Sequence, residues 1–171
     1  MNQRVWQFWQ AVRAQMHPGD HALVHKYLNE REQALFYAMH RVDQVHAVRV
    51  ARTAAELAAQ AEEQGRTVKL DFLQRCALLH DVGRVKGDLD LMGKVWAVLA
   101  RHYLPHWSRR MADGRRAHML YVYYHHAAIG AAKLRQIGDN AEAELIARHH
   151  DAADVHDSIE LILLRTADDA N

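Results

Sequence analysis

Apolar side chains recur at intervals of three and four along most of the chain, the spacing of helices that bury one face. Val5, Trp6, Phe8, Trp9, Val12 and Met16 predict a first helix over residues 2–16, ended by His17-Pro18-Gly19. Asp20 is the expected N-cap of a short helix to Leu28, and Asn29 that of another through Leu35, Phe36 and Met39. Asp43 then opens a long helix, Gln44 to about Gln64, with Val45, Val48, Ala51, Ala55 and Ala58 along one side and Gly65 as its stop. His46 shares that side, one turn from Val50.

The next helix is expected over residues 70–80. It enters the core through Leu73, Ala77 and Leu78 and delivers His80 and Asp81, after which Gly83 lets the backbone turn. Leu89, Leu91, Val95, Trp96, Val98 and Leu99 predict the apolar side of a further helix. Residues 102–116, with Pro105, Trp107, Arg109, Arg110, Gly114, Arg115 and Arg116, show less regularity. They are expected as a basic loop, either a solvated surface or a lid over an anionic substrate. Tyr121-Val122-Tyr123-Tyr124-His125-His126 precedes a small-residue helix from Ala127 to Ile137, stopped by Gly138. Another runs from Glu142 to Arg148, and a last one, capped by Asp157 or Ser158, continues through Ile159, Ile162, Leu163 and Ala167 to Asp168. No stretch alternates with period two, so the fold class is all-α, a single-domain helical bundle. Residues 1–42 are expected as N-terminal helices packed on a core formed by residues 43–171.

Composition narrows the function classes. At 171 residues and 50% hydrophobic, the chain suits one sizeable core. Its 22 basic and 21 acidic residues nearly cancel, giving no general argument for nucleic-acid or membrane binding. The longest apolar runs, such as Leu161-Ile162-Leu163-Leu164, are too short to span a bilayer, and the N-terminal stretch lacks the uninterrupted apolar core of a secretion signal. A single cysteine excludes an intramolecular disulfide and makes a cytoplasmic location the default. The N-terminal aromatics suit core packing or a homo-oligomer contact equally well.

Fourteen histidines are the compositional anomaly, and several stand beside aspartate. A buried imidazole and carboxylate need partners to offset lost hydration, and a metal ion is one such partner. For an isolated pair such as His80-Asp81, a backbone hydrogen bond and a helix cap would be the simpler account. The inward-facing candidates are more numerous, however: His46, His80, Asp81, His126, His149, His150 and Asp168, drawn from several helices. The spacing is too wide for a zinc finger, so these side chains would have to converge in the middle of the bundle.

Together they resemble the HD-domain superfamily of metal-dependent phosphohydrolases. The match comprises His46-Ala47-Val48-Arg49-Val50, the signature Leu78-Leu79-His80-Asp81-Val82-Gly83, and Ala167-Asp168. His126-Ala127-Ala128-Ile129-Gly130 and Arg148-His149-His150-Asp151 resemble elements of the HDIG and HD-GYP-like branch, although the GYP element itself is absent and Arg84 stands where lysine is common. The resemblance implies that His46, His80, Asp81 and Asp168 hold one divalent metal. It also implies that His126 with His149 or His150 completes a second site, and that Asp81 bridges the ions and orients the attacking hydroxide.

The resemblance thus implies two ions per chain, and ligands of imidazole and carboxylate without cysteine put iron or manganese ahead of zinc. Such ions, about 3.5–4 Å apart, would lower the pKa of a shared water and aim it at phosphorus. Arg84 and Lys86 are candidates to neutralise phosphate oxygens, with ordinary surface charge as the alternative. The expected substrate is a nucleotide or small phosphorylated metabolite. Two other functions stay open: a di-iron oxygenase, since some HD-domain relatives with extra histidines activate oxygen, and a regulatory module stabilised by metal without turnover.

Overall fold

A computed structural model of the chain describes residues 15–86, 96, 97, 99, 100, 102–114 and 118–171. Among the described residues all regular structure is helical: α1 (Pro18–Tyr27), α2 (Glu30–Ala38), α3 (Arg41–Glu63), α4 (Leu70–Leu79), α5 (Pro105–Asp113), α6 (His118–Ile137), α7 (Asn140–Ala147) and α8 (Ile159–Ala170). The helix expected over residues 2–16 lies outside the described residues except for Gln15 and Met16, which are not helical; Met16 packs half-buried on the core.

Helix α4 is the axis of the bundle, touching α1, α2, α3, α7 and α8. Its sequence explains why: Leu73, Cys76, Ala77, Leu78 and Leu79 are all fully buried, so little of the helix is left for solvent. Each buried leucine stabilises the fold by about 2–3 kcal/mol relative to an exposed one. The facing side of α3 is mostly small, with Ala47, Ala51, Ala54 and Ala58 buried between Val48 and Ala61, which allows close approach of the two helices. Gln74 is buried in that contact and satisfies its amide by donating to Ala51 O at 2.7 Å.

Both expected glycine stops are present. Gly65 and Gly138 take the left-handed conformation, φ 80° and 98°. In each case the residue after the glycine donates five positions back, Arg66 N–H to Ala61 O and Asp139 N–H to Leu134 O, which closes the helix. Asn29 caps α2 as expected, accepting from Arg31 and Glu32 N–H.

The N-termini of α1 and α3 differ from expectation, whereas α8 takes one of its two expected caps. Asp20 is not the cap of α1 but its third residue, accepting from His17 N–H at 2.8 Å while pairing with Arg52 of α3 at 2.6 Å; that double duty keeps it buried. Helix α3 begins at Arg41 after His40, with Asp43 buried inside its first turn. Ser158 caps α8, because Asp157 is already engaged by Arg148 and Arg165. Ile162 points outward from that helix, leaving Leu161, Leu163 and Leu164 to the core.

Two larger differences concern residues 96–126. The supposed basic loop contains α5, whose buried positions are the small Ser108 and Ala112, four apart. Helix α6 starts at His118 rather than Ala127, so the tyrosines and His125-His126 are helical. Trp96 and Leu99 are exposed, while Ala97 and Ala100 pack with Ala112, Leu120 and Val122 in a second apolar cluster. Leu89, Leu91, Val95 and Val98 lie outside the described residues. Among the described residues, no helix is long and apolar enough to cross a membrane.

Candidate metal centre

The site grows from the C-terminus of α4. The helix ends at Leu79, His80 keeps helical dihedrals (φ −59°, ψ −30°), and a tight turn follows in which Arg84 N–H donates to Asp81 O. His80 and Asp81 are thereby carried to the centre of the bundle, each only 1% exposed. Helix α6 closes over this turn at van der Waals distance. A Cβ on Gly83 would stand 2.0 Å from His126 O, and one on Gly130 would stand 3.2 Å from Gly83 N. The two glycines let His126 face Asp81. Lys133, seven positions after His126 and so on the same face of α6, donates its Nζ to Val82 O at 2.9 Å and holds the turn from the other side.

Three histidines are oriented in one way. His80 Nδ1 meets Ala77 O at 2.8 Å, His126 Nδ1 meets Tyr123 O at 2.9 Å, and His149 Nδ1 meets Ile146 O at 2.6 Å. A carbonyl oxygen only accepts, so each Nδ1 carries a proton and donates it, which leaves Nε2 to face the centre. Such a bond to the far ring nitrogen is what fixes a metal-binding imidazole.

The seven candidate ligands are brought together in two adjoining groups. His46, His80 and Asp81 place ligand atoms within 4.8 Å of one another, as do His126, His149 and His150. Asp168 joins the first group, its Oδ1 lying 2.9 Å from His46 Nε2 and 3.6 Å from His80 Nε2. The rings of His80 and His149, 5.4 Å apart, connect the groups. Asp81 lies between them: Oδ2 is 3.6 Å from His80 Nε2, and Oδ1 is 3.4 Å from His126 Nε2. The helix bearing Asp168 is held at its end by Asn171, whose Nδ2 donates to Ala167 O and to Thr53 Oγ1 of α3.

This arrangement fits divalent cations. His80 Nε2 and His149 Nε2 are buried with no hydrogen-bond partner, a costly state that coordination would relieve. The electrostatics agree. Burial opposes ionisation of Asp81, yet Arg84 and the surrounding imidazoles outweigh it and hold the carboxyl well below its usual range. Asp168 is likewise pulled far down, against burial, by His46 and His80. Burial also disfavours a charged His80, but Asp81 and Asp168 prevail and raise it to about 9. In the second group burial dominates, lowering His126 and His150 and bringing His149 to about 3, so these imidazoles are neutral donors at pH 7.

Arg84 is poised directly on the centre, with Nη1 donating to Asp81 Oδ2 at 2.7 Å and Nη2 to His126 Nε2 at 3.0 Å. Lys86 is exposed; its backbone N–H reaches Ala38 O, and its side chain is not part of the wall described next. A cavity of about 570 Å³ opens beside the second group, lined by Arg84, His126 and His150 together with Tyr123, Tyr124 and Arg109. Asp151 also lines it. His125 is directed elsewhere, 3.3 Å from Asp113 of α5. Lys133 and Tyr123 are not among the site residues expected from the sequence, and Arg109 is there only as part of the basic stretch that could cover an anionic substrate. The signal for Lys133 is its helical register with His126 and Gly130; the basic stretch itself is the signal for Arg109.

Residues 44–170 match the family model described as HD domain. No curated protein matches the chain, and no solved structure does.

Proposed function

The chain belongs to the HD-domain family, and on that premise we propose that it is a metal-dependent phosphohydrolase, cleaving a phosphate ester or anhydride of a nucleotide or small phosphorylated metabolite. The observation that carries the proposal is the divided carboxylate of Asp81, with Oδ2 turned to His80 and Oδ1 to His126, each at the edge of a separate group of metal-capable side chains. His46, His80 and Asp168 would hold one ion and His126, His149 and His150 a second, with Asp81 available to both. Two divalent ions, iron or manganese before zinc, would supply Lewis acidity and a water of lowered pKa when bound.

The chain's own residues do the rest. The surroundings of Asp81, Arg84 first, hold its carboxyl well below the usual carboxylate range, which favours a negative charge between the groups. Burial of His80 and His149 excludes bulk water from that point and strengthens each electrostatic contact. Arg84 has two donors at the cavity wall, suited to phosphate oxygens entering beside His126 and to the charge that grows on them during cleavage. Lys86, off that wall, has no part in the proposal.

The test is phosphate release from a panel of nucleotides and phosphomonoesters by protein loaded with manganese or ferrous iron, with oxygen uptake followed in parallel. Release that disappears on chelation and in Asp81→Ala is the expected result. Oxygen uptake with no phosphate release would replace hydrolysis with oxidation. Metal-dependent thermal stabilisation with neither reaction would leave a regulatory module.

A further inference from the structure

The cavity beside the second histidine group is larger than one phosphate needs, about 570 Å³, within the range of pockets that enclose whole small molecules. Its two cationic side chains come from different elements and differ in their commitments. Arg84 follows the α4 turn and is already bonded to Asp81 and His126. Arg109 comes from α5, is exposed, and has no hydrogen-bond or ion-pair partner among the described residues. The same cavity is lined by the aromatic rings of Tyr123 and Tyr124 and by Pro105.

The placement of Arg109 is set by its neighbour. Ser108 is fully buried, with Oγ donating to Pro105 O at 3.1 Å and lying 2.9 Å from Tyr124 Oη, so the α5 backbone is tied to α6 one residue before Arg109. The same contact occupies the Tyr124 hydroxyl and leaves its ring as the wall. Tyr123 stands perpendicular to that ring at 5.4 Å. The one acidic group lining the cavity is Asp151, which unlike the arginines would repel an anion.

We propose that Arg109 is a specificity-determining residue that reads a second anionic group on the substrate, separated from the reacting phosphate by a body that lies along Tyr123 and Tyr124. This rests on the phosphohydrolase reading of the adjoining centre. The substrate class is therefore a phosphorylated compound with two separated anionic groups, of which a nucleoside bisphosphate is the simplest aromatic example. A guanidinium suits that task because it forks two donors onto phosphate oxygens.

The experiment compares adenosine 3′,5′-bisphosphate with adenosine 5′-monophosphate, two probes that differ by one anionic group. Manganese-loaded wild type, Arg109→Ala, Arg109→Lys and Arg110→Ala are assayed for phosphate release and, separately, titrated by calorimetry. Wild type is expected to prefer the bisphosphate by about tenfold or more in kcat/KM, chiefly through KM. Arg109→Ala should bring that ratio close to one, Arg109→Lys should restore part of it, and Arg110→Ala, next in sequence but outside the cavity wall, should keep it. A preference that survives in Arg109→Ala, or no preference in wild type, overturns the proposal while leaving hydrolysis intact. If neither probe is hydrolysed, the calorimetric titration decides: a binding preference abolished by Arg109→Ala supports the role of Arg109, and its absence overturns that role, while the hydrolase reading is tested separately by the wider panel.

Discussion

His126 and His150 bring their Nε2 atoms to 2.8 Å of each other. Since the Nδ1 proton of His126 is given to Tyr123 O, its Nε2 faces His150 as a lone pair, and the two rings converge on one point beside Asp81. Two imidazoles so arranged either share one proton or share a cation. Under the proposed function, His126→Ala or His150→Ala should lower the metal content from two ions per chain to one, whereas Asp81→Ala should lower it to none. Activity should fall by more than the roughly 10–100-fold typical of losing an outer partner of a ligand. Elemental analysis of the purified variants checks this; an unchanged content in His126→Ala would remove that residue from the ligand set.

Gly83 is the point at which the fold is least forgiving. A Cβ there would meet His126 backbone atoms at 2.0, 2.7 and 2.9 Å, and backbone does not rotate away. Relief requires α6 to move off α4, separating His126 from Asp81. Gly83→Ala should cost about 3 kcal/mol or more and impair metal uptake, beyond ordinary overpacking. Gly130→Ala, whose nearest neighbours are at 3.2 and 3.4 Å, should cost about 1 kcal/mol. Urea unfolding of the two variants gives the comparison, and equal losses would contradict it.

Stability and metal binding are separable at Arg75. Its guanidinium reaches Glu32 at 2.7 Å, Glu142 at 3.0 Å and Asp139 at 3.6 Å, joining α2, α4 and the start of α7. Glu32 is 1% exposed, so removing the cation strands a buried carboxylate. A fully buried pair so broken costs about 3–5 kcal/mol, but Arg75 itself is 30% exposed and water would partly replace it. Arg75→Ala should therefore lose about 2–3 kcal/mol in urea unfolding while retaining the wild-type metal content. A loss of metal would mean that the network positions the centre as well as the fold.

The parts of this molecule that the sequence discloses are those where one physical demand acts alone. The run from Cys76 to Gly83 is legible because an apolar helix that ends in His-Asp has few ways to satisfy both groups. Gly65 and Gly138 are legible because left-handed backbone selects glycine. Helix α5 escaped detection because its buried positions are Ser108 and Ala112, small enough to read as loop, while its arginines and Trp107 face outward. The first turns of α6 were obscured in another way: tyrosines and histidines there serve the second apolar cluster and the metal centre, so no single stripe is visible. Asp20 read as a cap because its carboxylate does accept a backbone N–H; its ion pair with Arg52, 32 positions away, decided which residue of the turn it became.

Proton release offers the sharpest test of the first ligand group. Metal coordination needs the Nε2 lone pair of His80, yet the opposing charges of Asp81 and Asp168 outweigh burial and leave that imidazole protonated up to about pH 9 in the metal-free protein. His149, brought to about 3 by burial and by His80, is already neutral. An ion entering beside His80 at pH 7 should therefore expel about one proton, and one entering beside His149 almost none. Affinity of the first group should rise about tenfold per pH unit and level off near pH 9, while the second shows little slope. Stability of the metal-free protein carries the opposite sign: a raised folded-state pKa stabilises below the ordinary value of 6.5, and that contribution, on the order of 3 kcal/mol, fades as pH climbs to about 9. Calorimetric titration with manganese in buffers of different ionisation heat counts the protons, and thermal melts of chelated protein from pH 6 to 10 follow the stability. Binding without proton release at pH 7 would show that His80 is not a ligand of the first ion.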